Sequence, residues 1–552
     1  MRIKFIIATI FTAFLMQGCD DQLDILPNDN ISSETLYKTE AGALAGLAGA
    51  YSRVLQVYRD AIINGQYPTG WTDEGFYKRK GLQNIIKNNF TASDPVLGRI
   101  WAQYYEGVAA ANSLLIGVRN SELDEAVKLE YEAEARFLRG FLYFDIQKAF
   151  GGIQGIPMPL EAEFITKELL PRTPGIDVYR QIIADLEFAE KHLPTATEAI
   201  GGRGNKSAAR GLIARAYIFM ATAPFNEAGA YEKAAAWSKK VIDDPYHELN
   251  PQYQDVFNEL GRGNYETKET LFQIGFSLEG INPQLSNLGS GFGMLFEDEN
   301  CATKGARLKG KAYGNTFANV TLVLKYRSDP DDERGLWNTL PFYNKRDGSC
   351  TLQLESSQFS YAASKYRRFL EPDPTFNSWG SHHWPVIRLS EMYLIYAEAL
   401  VNTDPAKALK AVNDVRNRAN ATPLTAISDE AIQEEYLLEL CFEGHRKFDL
   451  VRWGILEETV YATRDAVRAL EADTSFMNED WVTFGEYSLD ANDIPIIDTT
   501  NPTNTVPRRN TMSTNWSYYE GYEDFVPSKN YILPIPAQEL GVNTNLKQTT
   551  GW

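Results

Sequence analysis

Pro385-Val-Ile-Arg-Leu-Ser-Glu-Met-Tyr-Leu-Ile-Tyr-Ala-Glu-Ala-Leu400 is the stretch on which the fold turns. Leu389, Met392, Tyr393, Tyr396, Ala397 and Leu400 recur at i, i+3, i+4, i+7, i+8 and i+11, which puts them on one face of an α-helix. Another helix, about Pro405 to Ala419, follows after a short turn. A third starts near Ser428-Asp429, where a side-chain oxygen can cap the first turn, and runs to about Leu450.

The same periodicity appears far upstream. Leu138, Phe141, Leu142 and Ala149 mark a helix from Tyr131 to Phe150, which Gly151-Gly152 should stop. Leu212, Ile213, Ala216, Phe219 and Met220 mark a second, from Lys206 to Ala223, ended by Pro224. A third, Tyr231 to Ile242, carries Ala234, Ala235 and Ala236, small enough for close helix contact. Paired helices with alanine at the contacts suggest tetratricopeptide-like hairpins, although no strict 34-residue repeat is visible. Residues 246–385 differ, being dense in Gly, Asn, Ser, Pro and aromatics, with short strands expected at 270–276 and 320–326. Long loops of this kind are usually functional or disordered, and the aromatics speak against disorder. The organisation read from the sequence is 1–18, a helical region 19–245, a loop-rich region 246–385, and a helical region with a wrapping tail, 386–552. The fold class is mostly α.

The N-terminus reads as a targeting segment. Arg2 and Lys4 precede an apolar run from Phe5 to Met16, then Gly18-Cys19 and Asp20-Asp21. That run is shorter than the roughly twenty residues a spanning helix needs and reads as the apolar core of a secretory signal. A small residue directly before a cysteine resembles a bacterial lipoprotein signal, cleaved before Cys19 with lipid on its sulfur. Met16 and Gln17 depart from that pattern, and an ordinary signal peptide is the plainer alternative. Two or more acyl chains would hold the domain on a membrane stably, at about 0.8 kcal/mol per buried methylene. The whole chain carries a net charge of −19; loss of Arg2 and Lys4 leaves 52 − 73 = −21. So strong an acidic excess repels phosphate backbones and excludes nucleic-acid binding as the main task. Of the other cysteines, Cys301 and Cys350 lie in loop-like sequence and could pair in an oxidising compartment, and Cys441 suits a small core residue.

Enzyme motifs are mostly missing. HExxH and GxSxG do not occur. Gly305-Ala-Arg-Leu-Lys-Gly310-Lys311-Ala312 approaches a phosphate-binding loop, but Ala312 cannot offer magnesium a hydroxyl. His382-His383 lie between Trp379 and Trp384; neighbours in an extended segment point in opposite directions, so a solvent-facing loop is a simpler reading than a metal site. His445 sits in Phe442-Glu-Gly-His-Arg446, where Glu443, Arg446, Asp449 and Arg452 are expected to pair with one another in a polar network. No carboxylate pair stands out for glycoside hydrolysis. Asp329, Asp331 and Asp332 could hold calcium; otherwise no cofactor is expected.

Loop tryptophans remain. A flat exposed ring can cover the apolar face of a sugar, while Asp, Asn and Arg beside it bond the hydroxyls, although most tryptophans pack into cores. Trp71 with Asp73, Trp337, Tyr343, Trp379 and Trp384 are the candidate ligand-binding residues.

Several blocks then resemble one family in family order across nearly the whole chain. They are Cys-Asp-Asp-Gln-Leu-Asp-Ile-Leu-Pro (19–27), Glu134-Ala-Arg-Phe-Leu-Arg-Gly140, Pro385 to Leu400, and Asn413-Asp-Val-Arg-Asn-Arg418. Phe442-Glu-Gly-His-Arg-Lys-Phe-Asp-Leu-Val-Arg-Trp-Gly454, Tyr531-Ile-Leu-Pro-Ile-Pro-Ala-Gln-Glu-Leu540 and the final Thr-Gly-Trp552 complete the set. Together they are similar to SusD-like (RagB/SusD) outer-membrane lipoproteins; Tyr436 and Cys441 stand where basic and small residues are expected. The resemblance implies a mostly helical fold with four tetratricopeptide-like hairpins supporting a loop-built, variable ligand face. It also implies a cell-surface location through lipid at Cys19, with Asp20-Asp21 as an acidic export tag. The implied partner is a SusC-like, TonB-dependent barrel that the lipoprotein covers as a lid, and the implied ligand is an oligosaccharide, or a peptide in some relatives. It does not name the ligand. Trp71 and Asp73 lie in a segment that in relatives often reaches the binding face.

Three other readings compete with glycan capture: a surface glycosidase, a peptide-uptake relative, and a helical-repeat adaptor. Turnover of oligosaccharides would favour the first, and peptide binding without glycan binding the second.

Overall fold

The structure is a computed structural model. It describes residues 36–59, 72–77, 88–276, 316–340, 342–344, 350–352, 361–367, 370, 380–473, 483–484, 487–489, 495–497, 504–505 and 520–552. The signal segment with Cys19, Cys301, the phosphate-loop-like run and the glycines at 289–293 lie outside these residues.

Among the described residues seven α-helices build the first half: Glu40–Val57 (α1), Pro95–Arg119 (α2), Glu125–Ile146 (α3), Glu161–Thr166 (α4), Gly175–His192 (α5), Lys206–Ala221 (α6) and Ala230–Ile242 (α7). Their starts are written in the sequence. Asp94 caps α2 by accepting from Val96 N at 2.9 Å, with Pro95 in the first turn. Asn205 caps α6 through Ala208 N at 2.9 Å. The chain next runs through Gln254–Gly261 (α8) and short strands. These are Gly75–Tyr77 (β1), Thr270–Ile274 (β2), Thr316–Ala318 (β3), Thr339–Leu340 (β4), Phe342–Asn344 (β5), Cys350–Leu352 (β6), Tyr361–Ala363 (β7) and Trp384–Arg388 (β8). Helices Val320–Arg327 (α9) and Arg334–Asn338 (α10) lie among them. Leu389–Leu400 (α11), Pro405–Arg418 (α12), Asp429–Leu440 (α13), Arg446–Trp453 (α14) and Leu456–Ala472 (α15) follow.

The helices stack in chain order: α1 on α2, α2 on α3, α3 on α5, α5 on α6, α6 on α7. After more than a hundred residues the chain returns, and α11 packs on α7 while α12 packs on α11. The two helical blocks of the sequence therefore form one layer of eight helices in four successive pairs, as expected of tetratricopeptide-like hairpins. Ala234 and Ala235 are buried at the α7 contact, whereas Ala236 faces solvent.

Four strands form an antiparallel sheet in the order β1-β3-β7-β4, with Phe76 opposite Phe317 and Phe317 opposite Ala362. Separately, β2 pairs antiparallel with β8, Ile274 opposite Trp384 and Gln273 opposite Pro385. β8 is buried along its whole length and runs straight into α11. Arg388 is thus the last residue of a strand and the cap residue of a helix, at the seam between the helical layer and the strand region.

Two expectations fail for identifiable reasons. Residues 320–326 form helix α9 and not a strand, because Asn319 Oδ1 accepts from both Thr321 N (3.0 Å) and Thr321 Oγ1 (2.9 Å) and starts a helix. The single helix expected from Ser428 to Leu450 is two. Ser428 does cap α13, accepting from Ala431 N at 3.2 Å. The chain breaks at Cys441–His445, with Phe442 at φ +63° and Gly444 at +83°. Burial of the Phe442 ring and of the Glu443 carboxylate overrides local helix preference there. Cys441 is buried and unpaired, as its helical context suggested.

The tail wraps the first half. Leu533 N donates to Ala149 O at 2.9 Å, Ala537 N to Ala92 O at 2.8 Å, and Asn543 Nδ2 to Leu170 O at 2.8 Å. Trp552 ends against Phe90, ring centroids 4.9 Å apart.

Candidate ligand-binding site

The floor of the strand region is a buried lattice of charge. Glu439, on α13, accepts from Arg334 Nη1 (3.1 Å), Arg388 Nη1 (3.0 Å) and Arg418 Nη2 (2.5 Å). Glu443 takes Arg388 Nε and Nη2 (2.7 and 2.6 Å) and Lys365 Nζ (2.8 Å). Glu269 takes Arg388 and Arg418, and Arg334 also binds Asp332 and Glu435. Arg416 completes the set by donating to Glu435 at 2.8 Å. Five carboxylates (Glu269, Asp332, Glu435, Glu439, Glu443) thus meet five cations (Arg334, Lys365, Arg388, Arg416, Arg418), all buried, so no net charge is stranded. Burial raises the pKa of Glu439, but Arg418, Arg388 and Arg334 more than reverse this and hold it well below the usual carboxylate range. The lattice ties α8–β2, α10, β8, α12 and α13 together and fixes where the intervening loops begin and end.

Asp73 joins this floor. Its Oδ1 and Oδ2 accept from Arg446 Nε (2.8 Å) and Nη2 (2.5 Å), and Arg446 Nη1 donates to Gln433 O at 2.8 Å. A bidentate guanidinium occupies the carboxylate, so in this state Asp73 anchors the segment carrying Trp71 to α14. Next to it Glu74 is fully buried. Burial pushes its pKa up to about 8, against the opposing pull of the Phe442 backbone and Lys365.

The expected exposed tryptophans divide. Trp337, on α10, is 5% exposed; Arg367 lies over its ring at 3.5 Å and donates to its carbonyl at 3.2 Å. Trp384, at the start of β8, is 2% exposed and stacked on Tyr366, centroids 5.1 Å apart. Both rings are packed in the core and neither offers a face to solvent, contrary to the expectation of loop platforms. Trp71 and Trp379 lie outside the described residues. Tyr343 lies on β5 opposite Thr351, and its side chain is outside them; so is that of Cys350, opposite Asn344 on β6.

His382 and His383 are buried, not solvent-facing. His383 Nε2 lies 3.2 Å from Phe276 O, and burial depresses its pKa to about 4. The network expected around His445 is only partly local: Arg452 pairs with Asp449 (2.8 Å) and also with Glu398, while Glu443 and Arg446 reach out to Lys365, Arg388 and Asp73. His445 lines a pocket with Arg215, Glu391, Tyr436, Asp449 and Arg452 whose accessible interior, about 10 Å³, suits on the order of one water. Burial first, then Arg215 and Lys148, hold His445 neutral well below its ordinary pKa, and Glu391 is fully engaged by Arg215 at 2.6 and 2.5 Å. Such a pocket is too small for a sugar.

Two of the three aspartates proposed for calcium are committed elsewhere. Asp329 binds Arg416 (3.1 Å) and Thr422, and Asp332 binds Arg334. Among the described residues no group of three His, Cys, Asp or Glu converges as metal ligands would. Among them, too, no helix is long and apolar enough to cross a membrane.

Comparison with known proteins gives a consistent picture. Residues 313–552 match a family model described as the SusD family, and residues 28–218 one described as starch-binding associating with outer membrane. SusD-like protein P25 of Formosa agariphila is 27% identical over 507 residues, 83% of this chain and 92% of its own length. Starch-binding protein SusD of Bacteroides thetaiotaomicron is 23% identical over 386 residues, 61% of this chain and 67% of its own. A solved SusD homologue from B. thetaiotaomicron superposes with a TM-score of 0.77 at 22% identity, covering 94% of this chain and 98% of its own. A laminarin-binding SusD-like protein gives 0.63 at 21%, covering 94% and 100%. Two family models in family order, relatives matched over most of their length and a shared helical architecture place the chain in the SusD-like family.

Proposed function

We propose that this protein is a non-catalytic, cell-surface lipoprotein that captures oligosaccharides and passes them to a SusC-like, TonB-dependent outer-membrane transporter, over which it sits as a lid. The observation that carries the reading is family membership across both halves of the chain, joined to relatives named for starch and laminarin binding. The described chemistry supports capture over catalysis. Glu269, Asp332, Glu435, Glu439 and Glu443 are bound to Arg or Lys side chains, His445 is held neutral in a pocket too small for a sugar, and burial pushes the Cys441 thiol up to about 12. Trp71 and Trp379 serve as stacking rings and Asp73 holds the Trp71 segment in place; Trp337 and Trp384 support the scaffold. Cys19 carries the lipid, and Asp20-Asp21 directs export to the outer face.

A glycan array probed with the mature chain, beside a peptide library, tests the ligand class. Binding to a related set of glycans and to no peptide is expected. Peptide binding with a blank glycan array would replace this reading with peptide uptake.

A further inference from the structure

Tyr265 sits where two loops have been cleared for it. A Cβ on Gly201 would lie 2.5 Å from its Cγ, one on Gly202 2.8 Å from Cε1, and one on Gly275 2.2 Å from Oη. Any side chain at these positions would collide with the ring, so bare backbone lies along its length. His383 adds a ring tilted 45° with its centroid 4.5 Å away. Gly275 follows β2 and His383 precedes β8, so the tyrosine stands at the end of that buried ladder. Packed this closely, it is nevertheless 47% exposed, whereas Tyr253, Tyr326 and Tyr366 nearby in the core are 4% or less. A tyrosine that only plugged the ladder would be covered like those. This one is closely packed and still open to solvent.

Its surroundings suit a ligand that is apolar on a face and polar at its edge. Ile200, next to the glycine pair, is 64% exposed. Asn264 is exposed beside the ring, its amide held by Glu259 Oε2 at 2.9 Å. A pyranose has this character, with C–H groups on one face and hydroxyls around the rim. An aromatic ring presents a negative face to such C–H groups, and a ring already immobilised loses little freedom on binding.

We infer that Tyr265 is a stacking platform for one pyranose ring of a bound oligosaccharide, with Asn264 at its rim. This rests on the glycan-binding reading above. The test compares wild type, Tyr265→Phe and Tyr265→Ala by calorimetry against malto-, laminari-, xylo- and manno-hexaose, using the sugar that wild type binds most tightly. Tyr265→Phe keeps the ring and should stay within about twofold; Tyr265→Ala should bind on the order of tenfold more weakly. In parallel, nitration of Tyr265 in the wild-type protein, read by mass spectrometry, should slow when that sugar saturates the protein. This second readout holds even if the alanine variant folds poorly. Unchanged affinity in a folded Tyr265→Ala protein, or no protection of Tyr265 at saturation, overturns the inference and leaves glycan binding intact. Failure of wild type to bind all four sugars and every glycan on the array overturns both.

Discussion

Asp73→Ala and Arg446→Ala, singly and together, decide whether Asp73 is an anchor or a sugar ligand. Arg446 closes on Asp73 with bonds of 2.8 and 2.5 Å, and both residues are buried. Removing one partner of a buried pair strands the other charge and costs about 3–5 kcal/mol. The Asp73 side chain keeps 11% of its surface, so water can partly compensate and the lower end of that range is expected. Arg446 also keeps its bond to Gln433 O, which limits how far it can swing to solvent. Removing both partners takes away the stranded charge. The double variant should therefore be less damaged than the sum of the singles, by about 1.5–3 kcal/mol, the worth of a charged hydrogen-bonded pair. Guanidinium unfolding of the four proteins gives the cycle, with oligosaccharide affinity measured on each. Additivity within about 0.5 kcal/mol would refute the anchor. So would an Asp73→Ala protein of unchanged stability that no longer binds sugar, which would return Asp73 to direct ligand contact.

Other outcomes follow from the same structure. Glu74 has its pKa raised to about 8 by burial, so the folded state holds a proton the unfolded chain releases near its ordinary pKa of about 4.3. Its contribution is therefore full below about pH 4.3 and falls as pH rises toward 8, by up to about 1.4 kcal/mol per unit. Glu74→Gln should flatten that slope in unfolding measurements from pH 5 to 8, and parallel curves would argue against a buried neutral acid. Glu439→Ala leaves one excess buried positive charge shared by Arg334, Arg388 and Arg418, each of which keeps another carboxylate, and should cost about 3–5 kcal/mol; a loss under about 1 kcal/mol would show that the lattice tolerates gaps. Trp337→Ala and Trp384→Ala should cost about 3–5 kcal/mol as core truncations, while Trp71→Ala should weaken sugar binding with little change in stability. Cys19→Ala should move the protein from the membrane pellet to the soluble fraction, and continued membrane retention would place the anchor elsewhere.

Much of the scaffold was legible because its signals are local. The six-position stripe from Leu389 to Leu400, the start at Pro405, and Ser428 before Asp429 all mark elements the structure contains. What escaped was non-local. The break at Cys441–His445 depends on Arg388 and Lys365, fifty to eighty residues upstream in sequence, drawing Glu443 out of helical register. Asn319 turned an apparent strand into α9 by capping, a signal present in the sequence and passed over. Trp337 and Trp384 looked exposed because polar and turn-forming residues surround them, yet Arg367 and Tyr366 cover their faces. Tyr265 went unnoticed for the opposite reason. Its setting of Gly261, Gly263 and Gly275 reads as ordinary loop sequence, and only the three-dimensional clearance shows a ring held open to solvent.

Capture without conversion is the central claim, and incubation of the mature protein with its tightest array glycan tests it most directly. Calorimetry should show saturable binding while mass spectrometry finds the same sugar intact after prolonged exposure. Shortened products accumulating in proportion to the protein would contradict it.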